Sequence, residues 1–169
     1  SGDLGHLCAA GVVFLSLVEA NRQLRAAGKS EPDLMGLLDL VALGTVADVA
    51  PLIGVNRAFV RQGLQVLARR ERLGLRALAD VARMDSAPTA YHLGFLLGPR
   101  VNAGGRIGKA DLGLRLLTTT DPHEAGAIAA QLDRQGVNAL VLFNRFLQPD
   151  ISLERMAAHA TMTLSSGPE

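Results

Sequence analysis

Apolar positions recur at helical spacing along almost the whole chain. Leu7, Gly11, Phe14, Leu17/Val18 and Leu24 fall on one stripe, and Gly28 is placed to end that helix as a C-cap. A short helix is predicted from near Pro32 to Leu43, with Ser30 or Glu31 at its start; it is apolar on most faces and should be buried. Asn56 can cap a third helix whose Phe59, Val60, Gly63, Leu64 and Leu67 form a stripe ending at Arg69-Arg70. Gly74 to Arg83 reads as a fourth, and Pro88 opens a fifth that runs to about Leu97. A loop is expected from Gly98 to Gly108, then a helix from about Lys109 to Leu117. Asp121-Pro122-His123-Glu124 has the form of a capping box with proline at the first helical position, and its helix should reach at least Gln135.

Composition adds little to this pattern and removes several functions. Apolar residues make up 49% of 169 residues, mostly Leu, Ala and Val, which favours helices over strands. The formal charge of +1 exerts no global pull on nucleic acid, so any such affinity must come from local clusters. Arg57, Arg61, Arg69, Arg70, Arg72 and Arg76 form one dense stretch, readable as a solvated helical face or as a patch tracking a phosphate backbone. One tyrosine and no tryptophan leave no evident interleaving of aromatic and basic residues, and Tyr91-His92 reads as an amphipathic surface pair. The single cysteine, Cys8, reads as a small buried thiol, with no disulfide framework possible. There is no uncharged apolar run near 18 residues and no signal peptide, which reads as a cytoplasmic chain with no membrane partner.

Two segments carry candidate chemistry. In Asp39-Leu40-Val41-Ala42-Leu43-Gly44-Thr45-Val46-Ala47-Asp48-Val49-Ala50-Pro51-Leu52, Asp48 ends a run of apolar and small residues. It reads either as a cap or as an oxygen ligand for a hard divalent cation. Gly98-Pro99-Arg100-Val101-Asn102-Ala103-Gly104-Gly105-Arg106 crowds three glycines, two arginines and an asparagine into nine residues. Guanidinium forks and an amide beside an open backbone suit phosphate oxygens, whereas a glycine-rich turn with solvated arginines is the plainer reading.

Together the two segments resemble the RecJ family, single-strand-specific 5′ exonucleases of the DHH phosphoesterase superfamily. The likeness runs from about Leu4 to Arg134 and includes Asn56-Arg57, His92-Leu93-Gly94-Phe95 and Leu112-Gly113-Leu114. The resemblance implies that Asp48 is one aspartate ligand, with a catalytic role, of a binuclear Mn²⁺/Mg²⁺ centre. It implies that Arg100, Asn102 and Arg106 hold backbone phosphates of single-stranded DNA. It also implies a mainly α chain, the helical part of a DHH-type phosphoesterase domain. The chain departs from the pattern in having no Asp-His-His and no Asp-x-Asp, and its His6, His92, His123 and His159 stand isolated. One aspartate cannot hold two ions ~3.5–4 Å apart. The expectation is therefore a fragment of a metal-dependent exonuclease, inactive alone, with no metal bound to it. Alternatives are a non-enzymatic recombined helical oligomer, in which an apolar patch left by truncation drives self-association, and a weak nucleic-acid-binding module.

Residues 1–134 make up the RecJ-like part, and 135–169 read as a divergent or foreign segment. The run Ala139-Leu140-Val141-Leu142-Phe143 behind Gly136 fits a buried strand, which period alone does not separate from a helix. Its continuation through Asp150 is similar to a strand-and-loop segment of dihydroorotate-dehydrogenase-like proteins, and no function is transferred from that likeness. A mosaic chain and a diverged linker helix both stay open.

Overall fold

The computed structural model describes residues 4–106, 111–134, 150–152 and 157–159, with the backbone alone at 104–106 and in the last two stretches. It divides into two units, Ser1–Val137 and Asn138–Glu169. The first unit is helical: α1 (Ala9–Ala26), a 3₁₀ turn at Met35–Leu37, α2 (Leu38–Ala47), α3 (Gly54–Ala68) and α4 (Leu73–Val81). A π-helical stretch, His92–Leu97, follows and leads into α5 (Gly98–Arg106), then α6 (Asp111–Thr118) and α7 (Pro122–Arg134). In the second unit β1 (Asp150–Ser152) pairs antiparallel with β2 (Ala157–His159). Residues 139–143, expected as strand or helix, and Phe146 lie outside the described residues.

The core gathers leucines from several helices. Leu75, Leu78, Leu93, Leu97, Leu116 and Leu132 are fully enclosed, joining α4, the π stretch, α6 and α7. Phe14, Leu34, Leu38 and Val41 form a smaller cluster under α1, where Phe14 meets Phe59 edge to face at 5.2 Å. α2 packs against both α1 and α3 and is buried along most of its length. Cys8 is buried as expected, with its sulfur 3.4 Å from the Thr45 hydroxyl.

Four expectations are corrected. Asn56 does not cap α3. That helix starts two residues earlier, at Gly54, so Asn56 sits in its first turn and donates instead to the carbonyls of His6 and Pro51. The second helix begins at Leu38, not near Pro32, because Asp33 accepts the Met35 N–H and holds the preceding segment in a turn. At α7 Asp121 caps the His123 amide, yet Glu124 does not reach back to complete a box. Glu124 accepts from the Thr119 hydroxyl and pairs with Arg115, and these bonds lower its pKa, Thr119 first. The fourth correction, the loop expected after Gly98, belongs with the site.

Candidate nucleic-acid and metal site

Asp48 is exposed at the C-cap of α2, where the helix dipole already gathers negative potential. A carboxylate there is disfavoured unless a cation compensates it. The chain leaves α2 through a Schellman turn: the Val49 N–H donates to the Val46 carbonyl and the Ala50 N–H to that of Thr45. Glycine usually takes the left-handed position of this turn. Here it is Val49, at φ 55° and 87% exposed, so a β-branched residue is strained beside the carboxylate. Val49→Gly should therefore raise stability by about 1 kcal/mol in chemical denaturation. An unchanged midpoint would show the turn to be relaxed.

Downstream, Ala90 to Arg106 is one continuous helical rod. His92, three residues in from Thr89, accepts the Thr89 N–H at Nδ1, as a capping-box glutamate does. The rod's middle widens to i→i+5 bonding, and the Gly98 N–H donates to the Leu93 carbonyl. This is why no loop begins at Gly98. Pro99 has no N–H to donate, and the widened turn before it absorbs the missing bond without breaking the helix. Gly98 leaves no room for a side chain: a Cβ there would stand 2.8 Å from the Leu93 carbonyl of the same rod and 3.2 Å from the Cβ of Ala47, and one at Gly94 would stand 3.2 Å from Val46. The two candidate segments therefore meet, Ala47 immediately before Asp48 against Gly98 immediately before Pro99-Arg100.

The phosphate-type residues divide. Asn102 is exposed. Arg100 is largely buried, binding Asp133 through Nε and Nη2 at 2.9 Å and donating from Nη1 to the Leu96 carbonyl at 2.8 Å. Its guanidinium thus ties α5 to α7. Arg106 ends α5, one turn beyond Asn102, and its side chain lies outside the described residues. Among the described residues no three His, Cys, Asp or Glu side chains converge on a common point. Asp48 supplies one carboxylate, so these residues do not by themselves fit a two-ion centre.

At the opposite end of α2 lies a feature that the sequence reading missed. Asp39, 3% exposed, receives Arg72 on both oxygens at 2.7 and 3.0 Å. Arg72 also donates to the Gly36 carbonyl at 3.1 Å. A hollow of about 240 Å³ opens beside this pair, lined by Arg70, Glu71 and Arg76 among others. Arg70 is paired with Asp80. Arg57, Arg61, Arg69 and Arg76 are exposed on α3, its end and α4. The isolated Asp39 among leucines is the available signal, since a carboxylate inside an apolar run needs a partner.

No family model matches the chain. Curated relatives do. The single-stranded-DNA-specific exonuclease RecJ of Dickeya dadantii is 44% identical over 135 residues, 75% of this chain and 23% of that protein. The RecJ of Haemophilus influenzae is 40% identical over 134 residues, covering 76% and 23%. This chain carries a RecJ-like segment. Crystal structures agree: RecJ from Thermus thermophilus in complex with Mn²⁺ superposes at a TM-score of 0.63, with 39% identity over 74% of this chain and 18% of that one. The same RecJ in complex with Mg²⁺ superposes equally well. The chain spans under a quarter of the length of these curated RecJ relatives. Among the described residues no helix is long and apolar enough to cross a membrane.

Proposed function

We propose that the chain is the portion of a RecJ-type, single-strand-specific 5′→3′ exonuclease that holds one metal aspartate and the phosphate-positioning helix. The packing of Gly98 on Ala47 carries this reading, because it sets the Asp48 end of α2 beside the rod bearing Arg100, Asn102 and Arg106. Asp48 would be one oxygen ligand for Mn²⁺ or Mg²⁺, whose role is to activate water and steady the leaving oxygen. Asn102 would hold the strand from the exposed side and Arg106 would be the second phosphate contact, while Arg100 joins them only by exchanging Asp133 for a phosphate. The other ligands of the centre are not among the residues described. The chain alone is therefore inactive, and residues from about 135 onward are either a diverged linker or a foreign segment.

With a 5′-labelled single strand and Mn²⁺, the chain alone should bind in a salt-sensitive way and release no nucleotides. Arg106→Ala should weaken binding equally across sequences. Trimming of the strand would overturn the inactivity, and equal affinity before and after that substitution would remove Arg106 from the phosphate group. EDTA should leave the melting temperature unchanged, and a clear drop would reveal ligands beyond Asp48.

A second reading rests on α1, whose Val12 and Val13 are exposed and whose stripe is buried only at Gly11 and Phe14, since Leu17 and Val18, expected to continue it, are exposed as well. Such a face favours self-association. Sedimentation at rising concentration tests it, and a monomer throughout would exclude it.

A further inference from the structure

The geometry points to a base-stacking platform at Tyr91 and Phe95, for which single-stranded nucleic acid is the ligand; it deepens the proposed function and rests on it. The two rings stack with centroids 4.9 Å apart and planes 25° apart, and stay 60% and 49% exposed. Aromatic residues are 4% of this chain, and the other described ones, the buried Phe14 and half-buried Phe59, pack on each other. Two stacked rings facing solvent are thus an exception here, and exposed apolar surface of this kind marks an interaction site.

Their position names the occupant. Along positions 90–103 of the rod the exposed residues are Tyr91, Phe95, Pro99 and Asn102, spaced by four, four and three. One outward stripe therefore runs from the aromatic pair to the amide proposed to hold phosphate, over about 16 Å of helix. A strand whose backbone is held near Asn102 passes its next bases along Pro99 to Phe95 and Tyr91. Every base offers a π face, so stacking there would be indifferent to sequence.

The platform is also held in place. His92 stands edge-on to Tyr91, ring centroids 5.9 Å apart. The imidazole is fixed by the Thr89 N–H and hydroxyl at 3.0 Å and lies 3.4 Å from the Ser86 hydroxyl. Little ordering of Tyr91 remains to be done when a base arrives.

The chain supplies its own probe. Tyr91 is its single tyrosine and there is no tryptophan, so ultraviolet emission reports on that ring. The protein is titrated at low salt with a short oligothymidylate and with an abasic strand of equal length. Quenched emission with the oligothymidylate, and affinity about five- to tenfold above that for the abasic strand, is expected. Phe95→Leu should bring that preference close to unity while the circular dichroism spectrum stays the same. Equal binding of both strands with unchanged emission would overturn the platform and leave the phosphate site standing. Binding of neither would overturn both.

Discussion

Arg72→Ala should lower the unfolding free energy by about 3 kcal/mol, because it strands the Asp39 carboxylate in the interior. Asp39 is 3% exposed and its partner 22% exposed, so water entering from the neighbouring hollow replaces only part of the two bonds that Arg72 makes. Against a total stability of about 5–15 kcal/mol for a domain, this is a severe loss. In a domain of this size it should shift the melting temperature by about 10 °C. The double substitution Asp39→Leu with Arg72→Met should recover most of the loss, since the unpaired charge and not the missing attraction dominates it. A single variant within about 0.5 kcal/mol of the parent in urea titration would mean that the pair is solvated and the enclosed geometry wrong.

Gly74→Ala should be as damaging for a different reason. A Cβ at Gly74 would run into the Leu116 carbonyl, which belongs to the backbone of α6 and cannot rotate aside. The helices must separate, at a cost of about 3 kcal/mol. Gly126 provides the internal control. It lies within α7 with nothing within 4 Å of an added Cβ, so Gly126→Ala should gain about 0.5–1 kcal/mol from helix propensity alone. If both substitutions moved the denaturation midpoint in the same direction, the close approach of α4 and α6 would be refuted.

The parts of this fold that the sequence made legible are those written in a local code. Gly28 ends α1 at φ 67°, and Asp121 caps α7. The stripe Val60, Gly63 and Leu67 faces inward, with Phe59 and Leu64 half-buried beside it. The parts misread obey tertiary demands. Arg70 at φ 56° and Arg83 at φ 53° occupy left-handed positions at the ends of α3 and α4, as Val49 does after α2, with no glycine to announce them. Gly98-Pro99 has the look of a break because both residues disfavour helix interiors. The π turn and the Ala47 contact reverse that preference, and neither can be seen in a window of nine residues. The candidate site shows the same division. Residue types name Asp48 and Asn102, and both are exposed. Nothing local signals that Arg100 binds Asp133, 33 positions away.

The surroundings of α2 have a mechanical consequence. It is clamped along its length, its first turn riveted by Arg72, its flank pressed to α3 where Gly63 leaves no room, and its tip seated against Gly98. A strut held at three points can neither slide nor roll by itself. Loosening the rivet should therefore be felt about 13 Å away, as altered nuclear resonances around residue 48.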